Sequence, residues 1–147
     1  MIAVGSDHGG LELKGAICEL LQKRGFEFSD LGTTDGRSVD YPDFGVKVAT
    51  AVASGECASG VLICGTGIGM SIAANKVDGV RAALVHDTFT AQMAKEHNNA
   101  NVLVLGGRVL GVDEGCHLVE VWLDSTFEGG RHQLRLDKIH QIEKDRK

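Results

Sequence analysis

The run from Val61 to Lys76, VLICGTGIGMSIAANK, limits what this chain can fold into more than any other stretch. It reads as strand, glycine loop, helix. Val61 to Ile63 is a short apolar run with β-branched residues, the pattern of a strand buried on both faces. Gly65, Gly67 and Gly69 then let the backbone turn tightly against a ligand, and a helix begins near Ile68. The start of such a helix presents unpaired N–H groups and the positive end of its dipole, which favours an anion or an oxygen gaining negative charge. Cys64 places a thiol at that point.

The rest of the chain repeats the alternation. Ile2 to Gly5 reads as a strand running into the polar loop Ser6-Asp7-His8-Gly9-Gly10. Leu11 to Arg24 reads as a helix with Leu13, Ile17, Leu20 and Leu21 on one face and Gly25 as its stop. Glu27 to Asp30 is a candidate second strand. The following loop, to Pro42, holds Tyr41 extended ahead of the only proline. Phe44, Val48 and Val52 stripe a helix that ends by Gly55.

Beyond the central run, Val80 to Val85 is predicted as strand four and Thr88 to Glu96 as a helix with Phe89 and Met93 inward. Val102 to Leu105 is strand five. A helix from Gly111 to Leu123 turns Val112, Cys116, Val119 and Leu123 to one side, and a last helix runs from about Arg131 to Asp145. Strands alternating with helices at this spacing predict an α/β fold with a five-stranded parallel sheet covered on both faces. In such sheets ligands bind outside the strands' carboxyl ends, where strand order reverses. An order of 2-1-3-4-5 would bring Asp7 and His8 to one crevice with the Cys64 loop.

At 147 residues, with 43% hydrophobic side chains, the chain is expected to be one domain. Its net charge of −5 argues against nucleic acid as a partner, which calls for a broad basic surface. No apolar run approaches the ~20 residues that span a bilayer, and the amino terminus lacks the pattern of a signal peptide, so the cytoplasm is the expected location. Cys18, Cys57, Cys64 and Cys116 form no CxxC pair, and the six histidines show no zinc-type spacing, so no metal is expected. His86, His117 and His140 read as surface or packing residues. A dinucleotide site is the obvious competitor, because Asp87 stands 20 residues after Gly67. The glycines run GxGxG instead of GxGxxG, however, and they follow strand three instead of strand one. A phosphate-binding Walker loop fails because no GK[ST] follows.

Taken together, Ser6 to Gly10, Asp40-Tyr41-Pro42, Cys64 to Lys76, His97-Asn98-Asn99-Ala100-Asn101, Gly107-Arg108 and Gly129-Gly130-Arg131-His132 resemble the type B ribose 5-phosphate isomerase family, which includes galactose 6-phosphate and allose 6-phosphate isomerases. The resemblance covers nearly the whole chain. It implies a single Rossmann-like three-layer domain and a homodimer whose active sites are shared between subunits, with the last helix contributing to the dimer. Whether dimers pair into tetramers stays open. The implied reaction is a cofactor-free interconversion of aldose and ketose phosphates through an enediolate.

Cys64 fits the base that takes the proton from sugar C2, since loop amides and a helix start favour a thiolate. A second branch of the family uses a glutamate, at the position that Met70 occupies here. Backbone N–H groups from Gly65, Gly67, Ile68 and Gly69 fit an oxyanion hole. The resemblance implies ring opening by Thr66 and His97, phosphate binding by His8, Arg108, Arg131 and Arg135, and sugar contacts from Asp7 and Tyr41. It further implies that His97, Asn98 and Arg108 come from one subunit to meet Cys64 of the other. Ribose 5-phosphate is the leading substrate, and a hexose 6-phosphate the nearest alternative. A module that binds a phosphosugar without turnover is the alternative from another class, and the intact Cys64, Thr66 and His97 argue against it.

Overall fold

A computed structural model describes residues 1–147. Its centre is a parallel sheet of five strands: β1 (Ile2–Ser6), β2 (Phe28–Asp30), β3 (Ser59–Cys64), β4 (Ala82–Leu84) and β5 (Val102–Gly106). Six helices surround it: α1 (Leu11–Lys23), α2 (Tyr41–Ala53), α3 (Ile68–Ala74), α4 (Thr88–Glu96), α5 (Val112–Asp124) and α6 (Arg131–Asp145). A 3₁₀ turn, His8–Gly10, leads into α1.

The strands lie in the order β2-β1-β3-β5-β4, so the expected 2-1-3-4-5 is corrected at one edge. The physical reason lies in the strands themselves. All five residues of β5 are buried, which suits a central position, whereas the three residues of β4 are only half-buried, which suits an edge. Right-handed crossovers then decide which helix covers which face. Connections moving toward the β4 edge, through α2 and α3, cover one face, where Val48, Val52, Met70 and Ala74 pack on Leu62 and Val104. Connections moving back toward β2, through α1 and α4, cover the other together with α5, where Leu13, Ile17, Ala91, Leu118 and Trp122 pack on Val61, Ile63 and Leu103. The reversal between β1 and β3 is untouched by the swap, so the predicted crevice stands.

Several details depart from the sequence reading. Phe89 points outward at 68% exposure, and the buried residues of α4 are Ala91 and Ala94. The small side chains let α4 lie close to the sheet and α5, where a phenylalanine would not fit. On α5 the buried face is Gly115, Leu118, Val119 and Trp122, while Val112, Cys116 and Leu123 are only half-buried. A Cβ on Gly115 would fall 2.7 Å from Leu13 Cδ1, so α5 presses against α1 through that glycine. Tyr41 is the first residue of α2 instead of the last of a loop, with Pro42 in the first turn and Asp40 as the extended residue before it. Lys14, on the inner side of α1, is 3% exposed and donates to both oxygens of Asp30, at 2.8 and 2.6 Å, and to the carbonyl of Thr33 at 2.8 Å. This ties the 31–40 loop to the sheet. α6 buries only His132 and Leu136 and leaves Leu134, Ile139 and Ile142 exposed. No helix is long and apolar enough to cross a membrane.

Candidate active site

At the carboxyl end of β3, Cys64 is 5% exposed and its Sγ accepts a hydrogen bond from the N–H of Gly67 at 3.2 Å. Gly67 has φ +83, and a Cβ there would sit 2.5 Å from Leu84 Cδ1 and 3.1 Å from the carbonyl carbon and oxygen of Leu105. Glycine is therefore needed for both the turn and the close approach to β5. Thr66 Oγ1 accepts from the N–H of Ile68 at 3.2 Å and so shapes the same loop. The N–H groups of Gly69 and Met70 lie in the first turn of α3 and have no intrahelical acceptor. Met70 itself is fully buried and packs in the core beneath the loop.

The strand beside it brings the next groups. Asp7 follows β1, is buried, and uses Oδ1 to accept from the N–H of Gly9 at 2.8 Å, which leaves Oδ2 free. His8 Nδ1 accepts from the N–H of Val39 at 3.2 Å. The proton of that imidazole is therefore on Nε2, which becomes a donor. Tyr41 lays its ring over Gly69, where any Cβ would overlap the ring carbons. Arg108 donates its backbone N–H to the carbonyl of Gly65 at 2.9 Å, and its guanidinium runs back over Gly65, 3.3 Å from where a Cβ would stand. Arg108 thus belongs with the Cys64 loop of its own chain. The expectation that it travels with His97 and Asn98 is corrected, because the turn after β5 returns over the glycine loop.

His97, Asn98, Arg131 and Arg135 are not brought to that crevice. Helices of a parallel α/β fold run antiparallel to the strands, so the C-terminal end of α4 lies at the amino end of the sheet. Between His97 and Cys64 stands the length of β5, roughly 15 Å. There His97 caps α4 and stacks on His132, with ring centroids 4.1 Å apart and planes 15° apart. Its Nε2 lies 3.4 Å from Glu128 Oε1. Arg131 and Arg135 flank His132 on the exposed first turns of α6. Burial, then the neighbouring His97 and Arg131, pushes the His132 imidazole below its ordinary range, which favours its neutral form. Asn98 lines a cavity of about 210 Å³ with Arg81, Leu136 and Ile139.

Glu128 and His132 received no role from the sequence, although His132 stands inside the quoted Gly129 to His132 motif. With His97 they put three potential ligand atoms within 4.8 Å of one another. Stacked rings 15° from parallel direct their in-plane lone pairs side by side instead of toward one ion, a poor arrangement for a metal.

The fold and this set of residues place the chain in a known class. Residues 2–139 match the model of the ribose/galactose isomerase family, and the chain belongs to that family. Ribose-5-phosphate isomerase B of Escherichia coli is 47% identical over 145 residues, covering 99% of this chain and 97% of that one. Among solved structures, ribose-5-phosphate isomerase B of Clostridium thermocellum superposes with a TM-score of 0.98 at 55% identity, covering 99% of both chains. The Mycoplasma genitalium enzyme, solved with bound ribulose-5-phosphate, gives a TM-score of 0.94 at 47% identity, covering 97% of this chain and 95% of that one.

Proposed function

We propose that the protein interconverts ribose 5-phosphate and ribulose 5-phosphate without a cofactor, at sites each built from two subunits of a homodimer. The observation that carries the chemistry is the Cys64 thiol, held by the Gly67 N–H beside a glycine loop at the sheet's switch point. Catalysis begins with ring opening. The anomeric hydroxyl loses its proton, the C1–O4 bond breaks with its electron pair going to O4, O4 takes a proton, and C1 becomes an aldehyde carbon. Thr66 and His97 serve that exchange.

Cys64 then removes the C2 proton. The electrons form a C1–C2 double bond, and the former carbonyl oxygen becomes an oxyanion that takes a hydrogen bond from the Gly69 amide at the start of α3, those of Gly67 and Ile68 being held by Cys64 and Thr66. The O2 proton passes to O1, Cys64 returns its proton to C1, and C2 becomes the ketone. Asp7 and Tyr41 hold sugar hydroxyls. His8 through Nε2–H and Arg108 bind phosphate from the Cys64 side, while Arg131 and Arg135 bind it from the partner, since a dianion suits arginine's fork. The partner also supplies His97 and Asn98. The separation of the two groups across the sheet supports this division, as do the exposed apolar residues of α3 and α6, Ile68, Ile72, Leu134, Ile139 and Ile142.

The test is the initial rate on ribose 5-phosphate for wild type and Cys64→Ala, with allose 6-phosphate and galactose 6-phosphate in parallel. Turnover of ribose 5-phosphate by wild type alone is the expected result. Full activity in folded Cys64→Ala would reject the base, and preference for a hexose phosphate would reject the substrate.

A further inference from the structure

The segment Phe127 to His132 is built around His97. The N–H of Glu128 donates to the carbonyl of Glu96 at 3.0 Å, which fastens the segment to the end of α4. Gly129 and Gly130 follow with φ of +69 and +55, a double reversal that side chains rarely adopt, and the N–H of His132 donates to the carbonyl of Gly129 at 3.1 Å. The reversal folds His132 back under His97, where it is 6% exposed and stacked ring on ring. Glu128 meets the edge of the same ring at Nε2. His132 fixes the plane of His97, and the Glu128 carboxylate stands 3.4 Å from its edge.

The charged groups around the pair are few. Arg131 and Arg135 flank it from α6, and Glu128 faces it from the preceding turn. On α4, Glu96 is engaged by Gln92 at 2.9 Å, and Lys95 lies over the Trp122 ring at 4.4 Å, so neither competes for the imidazole. An imidazole that only capped a helix would need neither a stacking partner nor a carboxylate at its far nitrogen. We propose that Glu128 and His132 are positioning residues for His97, His132 fixing the plane of the ring that moves the proton during sugar ring opening and Glu128 facing the charged ring with a carboxylate. The His97 ring accepts a proton from the sugar and returns one, with no net change in the enzyme, and the Glu128 carboxylate 3.4 Å from Nε2 favours the charged ring while it exists. The neutral His132 face supports the imidazolium while it exists.

This inference rests on the proposed isomerase reading, and one chemical asymmetry separates the two. Ribose 5-phosphate is cyclic and must be opened, whereas ribulose 5-phosphate has its terminal hydroxyl esterified and stays open-chain. Only the aldose-to-ketose direction therefore needs ring opening before enolisation. Initial rates are measured from each sugar phosphate for wild type, Glu128→Ala, His132→Leu, Glu128→Gln and His132→Phe, with circular dichroism as a check on folding.

The expected result is a loss of about tenfold from ribose 5-phosphate in Glu128→Ala and His132→Leu, with the rate from ribulose 5-phosphate within about twofold of wild type. Glu128→Gln keeps an acceptor and His132→Phe keeps a stacking face, so both recover most of the lost rate. Equal losses in the two directions, no loss from ribose 5-phosphate, or no recovery in the conservative variants would overturn the proposal. Should His132→Leu fail to fold, the exposed Glu128 carries the same comparison alone. A wild type inert in both directions would instead remove the isomerase reading.

Discussion

Gly67→Ala tests how tightly the Cys64 loop is held. At φ +83 an L side chain costs about 1–2 kcal/mol in backbone strain. The added methyl would also stand 2.5 Å from Leu84 Cδ1 and 3.1 Å from the carbonyl carbon and oxygen of Leu105. The half-buried Leu84 can swing aside, but the Leu105 backbone is fixed inside the sheet, so the loop must lift by a few tenths of an ångström. Strain and crowding together cost about 2–4 kcal/mol. For a chain of 147 residues each kcal/mol moves the melting temperature by about 2–4 °C, so a fall of about 5–15 °C is expected. The lift also loosens the N–H to Sγ hydrogen bond, and kcat on ribose 5-phosphate should drop at least about tenfold. Gly36→Ala, where a Cβ meets open space, is the control and should change stability by less than about 1 kcal/mol. A Gly67→Ala protein melting within about 2 °C of wild type with full kcat would refute the reasoning.

Lys14→Met removes the buried ammonium that binds Asp30 and Thr33. It should cost about 2–4 kcal/mol in urea unfolding, at the lower end because Asp30 is partly solvated, and unchanged stability would contradict the account. The freed 31–40 loop weakens the Val39 to His8 hydrogen bond, so KM for the phosphosugar rises while kcat changes little. Burial, then Asp30, pushes the Cys18 thiol up to about 11, against the opposing effect of Lys14. In the native protein Cys18 therefore stays protonated as pH rises past 9, and at pH 8.5 iodoacetamide should label it about 100-fold more slowly than in urea, as read by peptide mass spectrometry. The same shift makes stability fall between pH 9 and 11, because only the unfolded chain gives up that proton there; a flat stability profile over that window would contradict it.

Much of the fold is legible in the sequence because its signals are local. The β-branched run before Cys64, the glycines after it and the helix stops at Gly25 and Gly55 each act through their own backbone. The order of β4 and β5 is not local. Both are short apolar runs, and only the depth of burial, complete for β5 and partial for β4, separates centre from edge. Phe89 misled because a large apolar side chain at helical spacing resembles a core face, while Ala91 and Ala94 carry little hydrophobic signal. The division of the site follows from a rule that the sequence does obey. Strand ends carry Asp7, His8 and Cys64 to one edge of the sheet, and a helix end carries His97 to the opposite edge. The pairing of His97 with His132 and Glu128 depends on the reversal at Gly129 and Gly130, whose direction no periodicity reports.

The central claim is that Cys64 of one chain works with His97 of another. Cys64→Ala and His97→Asn proteins, each inactive alone, are unfolded together, refolded at equal concentration and assayed on ribose 5-phosphate. Random pairing makes about half of the dimers hybrids, and each hybrid has one site with both residues intact, so about one quarter of wild-type activity should return. A refolded mixture no more active than either variant alone would contradict the account.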